Sequence, residues 1–110
     1  MSDEEGFMLV CDLDELSKEF PSSYNVNGKA LAFFRTTEDV VALDEKCTHA
    51  DASLAEGIFE GDIIECPLHG ATFNIYSGEA LTLPATVKVN RYATLLKEGK
   101  VYVNTDKILN

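Results

Sequence analysis

Two short segments hold nearly all of the chain's soft-ligand chemistry: Cys47-Thr48-His49 and Cys66-Pro67-Leu68-His69-Gly70. The chain has two histidines, and each stands two or three residues after a cysteine. A thiolate and an imidazole at such short spacing can converge on iron, zinc or copper. Taken singly, a cysteine is a small packing residue and a histidine an ordinary surface or core group. The doubled pairing is what turns both toward a metal. Cys11, the third cysteine, has no histidine near it and reads as packing. Three cysteines are too few and odd in number for a disulfide scaffold. In a reducing compartment, cysteines beside histidines are metal ligands or catalytic groups rather than crosslinks.

The elements that must position these segments are strands. Apolar residues recur with a period of two nearly everywhere outside the two segments. Residues 7–11 read as a first strand. Leu13, Leu16 and Phe20 stand at helical spacing but stop before Pro21, so that stretch holds at most a helical turn or two. Asn27-Gly28 separates residues 24–26 from 29–35 and favours the positive-φ geometry of a two-residue hairpin turn. Residues 40–43, 63–66 and 72–75 read as further strands. Residues 87–92 and 100–103 flank Glu98-Gly99 as a closing hairpin. The fold class is therefore all-β, an antiparallel sandwich or small barrel, with the cysteine–histidine segments in loops at strand ends.

With 110 residues, 12.1 kDa and 45% apolar residues, the chain can bury one core. Residues 1–110 are read as a single domain. The formal charge of −10 repels phosphate backbones and anionic lipid, which argues against nucleic acid or a membrane surface as partner. No run approaches the roughly 18 to 20 apolar residues of a membrane span. The opening Met1-Ser2-Asp3-Glu4-Glu5 is acidic where a signal peptide is basic, so the expected location is cytoplasmic. No glycine-rich nucleotide-binding motif is present, so direct hydride chemistry with a nicotinamide is not expected.

Two metal readings compete at this point. Two cysteines and two histidines satisfy a tetrahedral zinc site, as in a structural interaction module. Zinc ligand pairs, however, usually have like neighbours, whereas each segment here delivers one Cys and one His. The spacing C-x-H-x16-C-x2-H, with Pro67 after the second cysteine and Gly70 after the second histidine, resembles the Rieske [2Fe-2S] motif. The resemblance implies that Cys47 and Cys66 bind an inner iron, and His49 and His69 an outer, solvent-facing one. It assigns no catalytic residue. It implies a Rieske iron–sulfur fold whose two cluster-binding loops share one tip, with Leu83-Pro84-Ala85 in a third loop over the cluster.

Departures from the family's respiratory branch are informative. Ala52 and Leu68 stand where that branch has a loop-tying disulfide, and Ala71 and Phe73 where it has hydroxyls donating to cluster sulfurs. Losing those donors lowers the potential, toward about −150 mV rather than about +300 mV. No histidine is left for the mononuclear iron of a ring-hydroxylating oxygenase. The resemblance thus implies a one-electron carrier, not an enzyme, resembling the soluble ferredoxin component of a bacterial aromatic-ring dioxygenase system. Its partners would be a flavoprotein NAD(P)H ferredoxin reductase and a terminal ring-hydroxylating oxygenase, which it would meet as a monomer. The alternatives are a small Rieske subunit of a reductase such as assimilatory nitrite reductase, and the zinc module. Among the acidic residues, those from Asp51 to Glu65 are expected to dock partners, because they lie between the ligand loops in sequence.

Overall fold

The computed structural model describes residues 6–37, 39–48 and 50–110. His49 and the acidic opening with Asp3, Glu4 and Glu5 lie outside the described residues. Among the described residues, nine strands form two antiparallel sheets. They are β1 (Met8–Asp12), β2 (Ser22–Val26), β3 (Lys29–Arg35), β4 (Val40–Asp44), β5 (Ile58–Glu60), β6 (Ile63–Glu65), β7 (Thr72–Asn74), β8 (Arg91–Lys97) and β9 (Lys100–Ile108). The larger sheet runs β1-β9-β8-β4-β3-β2 and the smaller β5-β6-β7.

The Asn27-Gly28 hairpin forms as expected. Both residues have positive φ, and Val26 pairs with Lys29 across the turn. The helical spacing after β1 yields one 3-10 turn, Leu13–Glu15. Arg35 secures that end of the sheet, its Nη1 donating to the carbonyls of Leu13 and Leu16 at 3.2 Å each.

The strict period of two fails at β3 and β4, for a physical reason. Leu31, Phe33, Val40 and Ala42 face one core with Tyr92, Val101 and Val103. Ala32, Phe34, Val41 and Leu43 face a second core, shared with Ile64, Phe73 and both loop cysteines. A strand buried on both faces reads as a continuous apolar run, which is what residues 30–34 and 40–43 are. Fully burying each such side chain contributes roughly 1.5–3 kcal/mol. Phe34 meets Phe59 of β5 edge-to-face at 5.3 Å, joining the two sheets.

Two expectations need correction. Strand β5 was not foreseen: Ile58 and Glu60 face solvent and only Phe59 turns inward, so its three residues give too little pattern. The closing hairpin is also displaced along the chain. Strand β8 begins at Arg91 and runs to Lys97, and β9 continues to Ile108, while residues 87–90 form no strand. Their backbone groups are used elsewhere: the Val89 N–H donates to the Gly78 carbonyl and the Asn90 N–H to the Asp44 carboxylate. Among the described residues, no helix is long and apolar enough to cross a membrane.

Candidate metal centre

The two ligand segments are closed in the same way. In the first, the Cys47 N–H donates to the Ala52 carbonyl at 2.9 Å; in the second, the Cys66 N–H donates to the Ala71 carbonyl at 2.7 Å. Each bond spans five residues, so each cysteine roots a tight loop and the residues after it form the tip. The first loop follows β4, and the second connects β6 to β7. His69 has φ +67° and Gly70 φ +69°, successive left-handed residues that reverse the chain at the second tip.

The neck of the first loop is clamped by Glu45. Its carboxylate accepts hydrogen bonds from the hydroxyls of Ser23 on β2 and Ser53 beyond the loop. Ser53 also accepts from the Ala55 N–H, capping the 3-10 turn Leu54–Glu56. Sequence reasoning missed this clamp, although Ser53-Leu54-Ala55-Glu56 carries the capping-box pattern that could have flagged it.

The third loop crosses both ligand loops. On one side, the Leu81 N–H donates to the Thr72 carbonyl and the Thr82 hydroxyl accepts from the Thr72 N–H. On the other, the Thr48 hydroxyl donates to the Val87 carbonyl at 2.6 Å. Between these ties Ala85 is buried in the core that holds both cysteines. Leu83-Pro84-Ala85, expected to lie over the cluster, falls between these ties, with Leu83 and Pro84 exposed. The loop's far end is fixed by Asp44, whose N–H donates to the Asn90 carbonyl while its carboxylate accepts from the Asn90 N–H and, at 2.6 Å, from the Tyr92 hydroxyl. Burial and then that carboxylate push Tyr92 up to about 12.

Sulfur faces inward and the described imidazole outward. Cys47 and Cys66 are buried together among Leu54, Ile64, Ala71 and Phe73, and their thiols meet in a hydrogen bond, while His69 is exposed. Burial first, and then the adjacent Cys47, push the Cys66 thiol up, against an opposing hydrogen bond from the Leu68 backbone. Two buried sulfurs side by side ionise together only with a cation between them, so the donor set suits a thiolate-bound metal group. Cys11 packs in the other core against Tyr24, as expected. Among the described residues no three ligating side chains gather on one point, and His49 lies outside them. The described geometry is a thiol pair beneath an exposed histidine.

The family model for the Rieske [2Fe-2S] domain matches residues 6–93. This chain belongs to the Rieske family. Its cofactor is accordingly a Rieske-type [2Fe-2S] cluster, which retires the zinc module. The Rieske domain is 42% identical to Ferredoxin CarAc of Metapseudomonas resinovorans, covering 92% of this chain and 95% of that one. It is 37% identical to the 3-phenylpropionate/cinnamic acid dioxygenase ferredoxin subunit of Photorhabdus laumondii, covering 91% and 95%. A chain in the solved complex of reduced oxygenase and oxidized ferredoxin in carbazole 1,9a-dioxygenase superposes with a TM-score of 0.88, at 36% identity, covering 96% of this chain and 99% of that one.

Proposed function

We propose that this Rieske domain is the ferredoxin component of an aromatic-ring dioxygenase system. It carries electrons one at a time from a flavoprotein NAD(P)H reductase to a terminal oxygenase, works as a monomer in the cytoplasm, and is not itself an enzyme. The observation that carries this reading is the near end-to-end correspondence with ferredoxin components, 92% of this chain against 95% of CarAc. When bound, the cluster supplies a one-electron store whose potential is set by its ligands and their surroundings.

In this reading Cys47 and Cys66 would hold one iron of the cluster, and His49 and His69 the other. The chain's own residues do the rest. Burial of both sulfurs in the core they share with Ala85 keeps water from them, and the exposed His69 would bring the group they hold within reach of a partner. Ala71 and Phe73, both buried beside Cys66, carry no hydroxyl, which supports a potential low in the Rieske range.

The test is reconstitution. Under anaerobic conditions the protein is reduced with NADH through a flavoprotein reductase, then mixed with the oxygenases of the carbazole, naphthalene and phenylpropionate systems. The expected result is one-electron bleaching followed by reoxidation by an oxygenase. Failure of every oxygenase to reoxidise it overturns the reading. Elution in native extract as a stable large complex, rather than near 12.1 kDa, would point instead to a reductase subunit.

A further inference from the structure

Two consecutive carboxylates, Asp44 at the end of β4 and Glu45 after it, stand immediately before the first ligand loop, and both are half-buried. Asp44 turns toward β8, where it accepts from the Tyr92 hydroxyl at 2.6 Å and the Asn90 N–H at 3.1 Å. Glu45 accepts from the hydroxyls of Ser23 on β2 and, at 2.6 Å, of Ser53. All four donors are neutral. Among the described residues the ion pairs are Lys46 with Asp51 and Lys100 with Asp12, so neither carboxylate has a described cation within 4.0 Å.

Taking a charge partly out of water without a counter-ion costs stability. A neutral glutamine at position 45 could join Ser23 to Ser53 without that cost, because a serine hydroxyl both donates and accepts. The clamp therefore does not account for the charge. What the charge alone supplies is a field, and it is supplied close to Cys47: Glu45 is two residues away and Asp44 three, at most about 7 Å and about 11 Å of chain. A partly buried charge is screened less than one at the surface. The two carboxylates differ in their surroundings. Lys29 lines one groove with Asp44 and lies 5.2 Å from the centre of the Tyr92 ring, so it offsets part of Asp44's charge. The described partners of the Glu45 carboxylate are two hydroxyls.

We propose that Asp44 and Glu45 lower the midpoint potential of the group that Cys47 holds, Glu45 the more strongly. This rests on the reading of Cys47 as a cluster ligand, and it adds a second cause to the missing hydroxyls at Ala71 and Phe73. A fixed negative charge opposes the arrival of an electron. The carrier then holds its electron less tightly and gives it up more readily.

The experiment is redox titration of the cluster-loaded protein at pH 7 and fixed salt, for wild type, Glu45→Gln, Asp44→Asn, Ser53→Ala and Glu98→Gln. Glu45→Gln should raise the equilibrium constant for electron uptake about fivefold, which is about +40 mV for one electron, and Asp44→Asn about twofold. Ser53→Ala removes a donor and leaves the charge, so its melting temperature should fall while its midpoint does not rise. Glu98→Gln makes the same change in net charge at the far end of β8, a strand of about 23 Å, and should leave the midpoint at the wild-type value. An unchanged or lowered midpoint in Glu45→Gln overturns the inference. So does an equal rise in Glu98→Gln, which would make net charge the cause, or an equal rise in Ser53→Ala, which would make loop position the cause. The midpoint needs no partner protein, so reduced wild type that no oxygenase reoxidises sinks the functional reading alone, while wild type that takes up no cluster sinks both.

Discussion

The Thr48 hydroxyl lies 2.6 Å from the Val87 carbonyl and donates to it, joining the first ligand loop to the loop that covers the site. A single side chain from the residue between Cys47 and His49 thereby sets how the cover sits. Thr48→Val keeps the shape and removes the donor, leaving a carbonyl without its partner, and should cost about 1 kcal/mol of stability. Thr48→Ser should restore most of it. Thermal melts of the loaded protein check both; equal melting of wild type and Thr48→Val would remove the tie from the account.

Ala71 is buried, and its carbonyl closes the second ligand loop. Ala71→Ser places a hydroxyl there without disturbing that bond. A donor to a cluster sulfur stabilises the extra electron, and one hydrogen bond of about 1 kcal/mol corresponds to about +40 mV for a one-electron couple. Redox titration reads the shift. A lowered midpoint would contradict a role for the missing hydroxyl donors in setting the potential.

Gly70 and Gly57 separate two costs of adding a methyl group. At Gly70 φ is +69° and nothing lies within 4 Å of a new Cβ, so Gly70→Ala should cost about 1–2 kcal/mol through backbone conformation alone. At Gly57 the new Cβ would come 2.1 Å from the Glu65 carbonyl oxygen, which is backbone and cannot turn aside. Gly57→Ala should be several times as damaging. Denaturant unfolding of the two variants gives the comparison, and a reversed order would be evidence against the β5–β6 packing.

Tyr92 gives the protein an alkaline limit. An ordinary tyrosine ionises near 10.0, and here burial and Asp44 raise the folded-state value to about 12. The folded protein holds this proton longer than the unfolded chain does. The contribution is therefore fully present below pH 10 and is lost as pH rises through about 12. Tyr92→Phe should flatten the fall in stability across that window and cost about 1 kcal/mol below it. Unfolding measured from pH 8 to 12 checks the slope.

Much of the site was readable in one dimension because its constraints are local. A cysteine at each loop root, His69 at the second tip and the Asn27-Gly28 turn are each specified within a few residues. What escaped was set by distant partners. The residues from Val87 to Asn90 alternate like a strand, yet Gly78, Asp44 and Thr48 claim their backbone groups for the cover. Strand β5 exists because Ile64 and Phe34 are there to receive it. Among the acidic residues between the ligand loops, the β5–β6 hairpin carries Glu60 and Asp62 to the end of the small sheet away from Cys66, while Asp51 stays beside Lys46 at the first loop.

In the proposed reading Cys47, Cys66, His49 and His69 would together hold one cluster, through two thiolates and two imidazoles. Pulsed EPR on the dithionite-reduced protein tests it most directly, through the couplings of directly bound nitrogen. Two histidine nitrogen couplings are expected in the wild type, with one lost in His69→Cys. A reduced signal with no bound nitrogen, or a pair of couplings unchanged in that variant, would contradict it.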